Sequence, residues 1–127
     1  MPSGKYTAAE IAAMLKKPKG RVRNVAPRAQ RTYKGVVYHS KAECVYAFQL
    51  DALVALGEVF EWQRQVGFPL IVSGKLIARF VVDFHVNPTE GEPYLVEVKG
   101  WQTPEFKVKL KLFKALYPHI DYRIVKA

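Results

Sequence analysis

Three residues near the middle of the chain combine types and spacing that could do chemistry. Asp83 lies in the run Phe80-Val-Val-Asp83-Phe-His-Val86, and Glu97 and Lys99 lie in Leu95-Val-Glu97-Val-Lys99. Residues two apart share a face of a strand. In the first run Phe80, Val82, Phe84 and Val86 therefore share one face, and Val81, Asp83 and His85 share the other. In the second, Leu95, Glu97 and Lys99 face away from Val96 and Val98. Two consecutive strands thus each carry an acid within an apolar run, and a hairpin through the turn at 89–92 would set Asp83 beside Glu97. Paired carboxylates repel and resist desolvation unless positive charge lies between them. A hard divalent cation meets that demand, and Mg²⁺ is the usual one where phosphate is the substrate. Lys99, one pleat beyond Glu97, would sit beside such an ion and its phosphate. There it could orient an attacking water, help lower its pKa, or stabilise charge building on phosphate. The same residues would also make a salt-bridge ladder in which Lys99 neutralises both acids, and spacing alone does not separate the two readings.

Several elements must position these residues. Ser40-Lys-Ala-Glu43 has capping-box spacing and opens a predicted helix that Gly57 stops, with Val45, Phe48, Leu53 and Leu56, and Ala47, Ala52 and Ala55 nearby, as its apolar stripe. Strand patterning follows over 58–72, with Pro69 arguing for an edge or a bend. Ser73-Gly74 is a two-residue hairpin signal, followed by strands over 76–86 and 94–99. A basic helix over 104–117 has Phe106, Leu110, Phe113 and Leu116 or Tyr117 on one face, and a last strand covers 122–125. The order is helix, three strands, helix, strand, which predicts an α/β fold on one mixed sheet. Ahead of it, Val36-Val37-Tyr38 reads as a brief strand, and Thr7-Ala-Ala-Glu10 opens a short helix over 7–17. The expected organisation is a helix and basic N-terminal arm over 1–35 and one domain over 36–127.

Charge narrows the class of partner. Of the formal net +9, residues 1–39 carry +8 and residues 40–127 carry +1. The excess is densest where Lys19, Arg21, Arg23, Arg28, Arg31 and Lys34 occur with no acid between them, a stretch read as an extended arm. Such an arm favours phosphate-backbone binding through counterion release and carries no sequence information, although it would suit any polyanion. On the second helix Lys107, Lys111 and Lys114 share a face, with Lys109 displaced from it, and Trp101 follows the catalytic-type strand directly. The lysines could hold phosphates or form a solvated face, and the tryptophan could stack on a base or anchor at the surface. The lone Cys44 suits a small buried residue in a reducing cytosol. No apolar run approaches the ~18–20 residues needed to cross a bilayer, and no secretory leader is evident, so no membrane partner and a cytoplasmic location are expected.

Taken together, Val82-Asp83 and Glu97-Val98-Lys99 resemble the PD-(D/E)XK nuclease signature, with Val82 in place of the signature proline. The stretch from Tyr38 to Glu43 resembles a family of small phage-encoded proteins of that superfamily whose function is largely uncharacterised. Gln63-Arg-Gln65, Val82-Asp-Phe84, Val96-Glu-Val-Lys-Gly100 and the segment 103–109 resemble it as well. The likeness spans roughly 36–126 and implies a restriction-endonuclease-like αβββαβ core. It implies that Asp83 and Glu97 ligate Mg²⁺, for which Mn²⁺ could substitute, with the backbone carbonyl of Val98 as a further ligand. Lys99 would be the catalytic lysine and Gln65 a residue lining the site. Glu43 would add to the metal site directly or through water, although it could instead serve only as the N3 member of the capping box. Lys109 fits a family position near the site. The expected function is a Mg²⁺-dependent DNA endonuclease, structure-selective for branched or junction DNA, for which a homodimer would suit a symmetric junction. The alternatives are a non-catalytic DNA-binding or adaptor protein that keeps the fold, and a polyanion or RNA-binding module.

Overall fold

The computed structural model of the chain describes residues 25–127. The helix read over 7–17, together with Lys19, Arg21 and Arg23, lies outside them. A short 3-10 turn, Arg28–Arg31, leads into a two-stranded hairpin of β1 (Thr32–Tyr33) and β2 (Val36–Val37). There follow α1 (Lys41–Ala55), β3 (Val59–Val72), β4 (Lys75–Pro88), β5 (Tyr94–Lys99), α2 (Pro104–Leu116) and β6 (Asp121–Lys126). From α1 onward the order is αβββαβ, as the periodicities predict.

Local chemistry explains each boundary. Ser40 is extended and its hydroxyl accepts the Glu43 N–H at 3.1 Å, which starts α1. Gly57, at φ +77°, ends it, with Gly57 N–H donating to Val54 and Glu58 N–H to Leu53 in the paired bonds of a Schellman stop. Ser73 and Gly74 both take left-handed backbone, which closes the β3–β4 hairpin in two residues. Thr103 caps α2 by accepting the Phe106 N–H, and Pro104 occupies the first turn, where a missing N–H costs nothing.

The four long strands form one sheet in the order β3-β4-β5-β6, with β4–β5 antiparallel and β5–β6 parallel. It is a mixed sheet, and α2 supplies the crossover that a parallel pair needs. Pro69 lies in β3, an edge strand, where a missing N–H does not interrupt a ladder. No helix among the described residues is long and apolar enough to cross a membrane.

The chain divides into two compact units. One comprises the described residues up to Val66 with Val82–Gly100 and Asp121–Ala127, and the other includes Gly67–Val81 and Trp101–Ile120. The first has its core in Tyr38, Cys44, Ala47, Leu50, Val59, Phe84, Val86, Val96 and Val98, with Tyr46 and Trp62 against the Phe84 ring. In the second, Phe113 stacks on Phe80 with ring centroids 4.7 Å apart and meets Phe68 and Tyr117. Tyr117 is thus the aromatic that closes the α2 face, whereas Leu116 is exposed.

Two expectations need correction. The stripe of α1 is only partly the predicted one: Ala47 and Leu53 face inward, but Val45, Phe48 and Leu56 are exposed, the last two by 59% and 74%. The buried face is Glu43, Cys44, Ala47 and Leu50, with Leu53 half-buried. Apolar residues occupy every side of this helix, so periodicity cannot choose among them, and the small Cys44 and Ala47 allow close approach. The arm is also not extended from Pro27 onward. Arg31 donates from Nε to the Ala26 carbonyl at 3.0 Å and from Nη1 to the Tyr38 carbonyl at 2.7 Å. Tyr33 donates to Asp51 of α1 at 2.6 Å, and Lys34 pairs with the same carboxylate at 3.2 Å. These bonds tie residues 26–34 to the first unit.

Candidate functional site

The β4–β5 register sets Val86 against Tyr94 and Phe84 against Val96. One step further the same register brings Asp83 opposite Glu97. There a side chain takes over from the ladder, because Asp83 Oδ2 accepts the Val98 backbone N–H at 2.9 Å. Both acids are buried, at 7% and 5% exposure, and the Glu97 carboxyl hydrogen-bonds Asp83. Burial above all, then the Asp83 bond and charge, push Glu97 up to about 9, and Lys99 opposes the rise without cancelling it.

Glu43 is the third buried acid, brought from the first turn of α1. Burial and the charge of Asp83 raise it to about 7, opposed by the His39 backbone N–H, Arg64 and Lys99. Of the capping box, the Ser40 half is formed. The Glu43 carboxylate meets the His39 N–H, and its Oε2 is buried with no hydrogen-bond partner among the described residues. His39 Nδ1 stands 4.0 Å from it. Gln65 joins the group by donating from Nε2 to Asp83 Oδ1 at 3.5 Å. It does so from left-handed backbone, φ +54°, inside β3. A non-glycine residue there costs ~1–2 kcal/mol, which the surrounding structure must hold in place.

Asp83, Glu97, Lys99, Val98, Glu43 and Gln65 therefore all belong to the first unit. Among the described residues, no three His, Cys, Asp or Glu side chains form a ready-made metal-ligand group as they stand. The basic candidates are distributed differently. Arg28 is exposed, while Arg31 and Lys34 carry the structural bonds given above. Trp101, Lys107 and Lys111 are exposed and Lys109 half-buried, all within the second unit. Arg21 and Arg23 lie outside the described residues.

Two neighbours of the acids escaped the sequence reading. Tyr122 of β6 pairs in register with Leu95 and interacts electrostatically with Glu97, while burial raises its pKa. Arg64 lies over the Tyr38 ring, 4.7 Å from its centroid, and acts electrostatically on Glu43. The signal for Tyr122 was alternation carried across a parallel pair, Leu95 and Glu97 on β5 with Tyr122 on β6.

The sequence model of one family, described as protein of unknown function (DUF1064), matches residues 27–127. The chain belongs to that family. No curated protein and no solved structure gives a significant match. The DUF1064 match takes in every acid of the site, together with Lys99, Gln65, Arg64 and Tyr122. It begins at Pro27 and leaves Arg21 and Arg23 outside.

Proposed function

We propose that this DUF1064 chain is a metal-dependent nuclease of the PD-(D/E)XK kind that hydrolyses phosphodiester bonds in DNA. The observation that carries the reading is the trio of buried acids, Glu43, Asp83 and Glu97, whose charges oppose one another. A salt-bridge ladder would keep such acids ionised, yet Glu97 and Glu43 are both pushed upward despite Lys99. Desolvated acids in this balance are a liability to the fold unless a further positive charge joins them.

The donors fit a hard cation. All are oxygens, and the buried Glu43 Oε2 lacks a hydrogen-bond partner. Mg²⁺ keeps several waters and needs only one or two carboxylates, so an incomplete protein ligand set is compatible with it. Asp83, Glu97 and the Val98 carbonyl would hold it, with Glu43 acting directly or through water, and Mn²⁺ could substitute. When bound, the cation would polarise the phosphate and acidify water. The chain's own residues do the rest. Lys99 orients the attacking water or stabilises charge developing on the phosphate. Gln65 and the Val98 N–H fix the Asp83 carboxylate. Exposed basic residues, among them Arg28, Lys107 and Lys111, would hold backbone phosphates with little sequence readout. Branched or junction DNA, a homodimer that matches its symmetry, and action in the cytoplasm (of a host cell if the chain is phage-encoded) complete the proposal.

The incomplete ligand set favours one alternative, a non-catalytic DNA-binding or adaptor protein that keeps the fold. Supercoiled, linear and branched DNA incubated with Mg²⁺, Mn²⁺ or EDTA separates the two. The nuclease reading expects cleavage with metal only, reduced by ~100-fold or more in Lys99→Ala and Asp83→Ala. Binding without cleavage in every metal would replace it with the adaptor. Cleavage that persists in EDTA or in both variants would remove the mechanism.

A further inference from the structure

The buried polar atoms without a hydrogen-bond partner among the described residues include Glu43 Oε2, an acceptor, and Arg64 Nε, a donor. They belong to oppositely charged residues that influence each other electrostatically, yet no ion pair within 4.0 Å joins the two. Leaving both atoms buried and unsatisfied costs on the order of 1–3 kcal/mol each, more for charged groups. A direct Arg–Glu bond would be the simplest remedy, and the fold does not make it.

The backbone holds the arginine in this position. In a regular strand Arg64 and Gln65 would point to opposite faces. Gln65 takes left-handed backbone and reaches Asp83, and Arg64 acts electrostatically on Glu43. The Arg64 guanidinium lies over Tyr38, itself 2% exposed, on the first unit's core. Stacking uses the flat face of the guanidinium and leaves its in-plane donors available, the geometry suited to an oxyanion.

We propose that Arg64 binds a phosphate oxygen of the nucleic acid beside Glu43, with Tyr38 as the platform that fixes the guanidinium plane. The acids then take the cation, Arg64 takes the anion, and the two unsatisfied atoms receive opposite partners. This inference rests on the nucleic-acid reading of the site but not on cleavage. The phosphate could be internal to the strand or terminal, and the chemistry at Arg64 is the same.

The test measures binding of one short duplex, prepared with 5′-hydroxyl or 5′-phosphate ends, in Mg²⁺ and across a salt series. Lys99→Ala serves as the background so that the strand is not consumed. Adding Arg64→Gln should weaken binding about 10-fold or more and reduce the salt slope by about one ion, with melting temperature and cation affinity retained. A loss confined to the phosphorylated duplex assigns a terminal phosphate, and a loss on both assigns an internal one; either supports the proposal. Unchanged affinity and slope would overturn it and leave Arg64 as a packing residue on Tyr38. If Arg64→Gln does not fold, Arg64→Lys decides, because it keeps the charge and loses the fork. A several-fold loss with the slope retained supports the proposal, and wild-type affinity overturns it. The two readings fail separately. A wild type that cuts DNA, paired with an Arg64→Gln variant that binds normally, removes only Arg64. A wild type that never cuts, paired with a variant that loses affinity and slope, removes only the nuclease.

Discussion

A carboxyl group that folding buries beside a second carboxyl keeps its proton longer than it would in water, and that proton links chemistry to stability. Glu97 is raised to about 9 and Glu43 to about 7 from an ordinary 4.5. Between those values the native chain binds more protons than the unfolded chain, so metal-free stability falls as pH rises. The contribution is fully present below about 4.5 and is lost through about 7 for Glu43 and about 9 for Glu97. In EDTA, the melting temperature should therefore decline from about pH 5 to about pH 9. Glu97→Gln, uncharged throughout, should flatten the alkaline part of that decline and melt ~5 °C or more above wild type there. A melting temperature that climbs across this window, or that Glu97→Gln lowers at alkaline pH, would show that these acids are compensated in the metal-free protein. Stability spent in this way is common at functional sites, where the ligand restores it.

At the scale of elements, legibility depended on contrast. Asp83, Glu97 and Lys99 stood out because each is a polar residue in an apolar strand, and alternation then fixed their faces. Pro69 marked an edge strand and Ser73-Gly74 a hairpin because their backbone chemistry permits little else. The α1 stripe was misread in part because its apolar residues surround the helix: Cys44 and Ala47 are inward as expected, but only packing identifies Leu50 as inward and Val45, Phe48 and Leu56 as outward. Leu50→Ala should accordingly cost ~2–5 kcal/mol of unfolding free energy, whereas Phe48→Ser should cost less than ~1 kcal/mol. Chemical denaturation of both variants checks the assignment, and a reversed order would restore the stripe read from the sequence. Arg64 and Tyr122 were missed for different reasons. Arg64 acts on Glu43 only through space, next to a left-handed residue that no pattern announces, and Tyr122 depends on a parallel pairing between strands separated by a helix.

For the whole molecule, net charge suggested a single basic arm, and the structure divides its residues by role. Arg31 holds the Ala26 and Tyr38 carbonyls and Lys34 pairs with Asp51, whereas Arg28 is exposed. Neutralising Arg21, Arg23 and Arg28 together should therefore flatten the salt dependence of DNA binding by up to ~3 ions, with little effect on melting. Arg31→Gln should instead lower the melting temperature, because it leaves two carbonyls without their donor. An unchanged salt slope in the triple variant would remove those arginines from the binding surface. Whether the acids of the first unit hold a divalent cation is read by Mn²⁺ binding, followed by spin resonance or calorimetry. The wild type should take up one ion in the metal-bound range below ~10 mM, with Asp83→Asn and Glu97→Gln each losing it while remaining folded. Absence of binding by the wild type, or equal binding by both variants, would rule out a cation site at these acids.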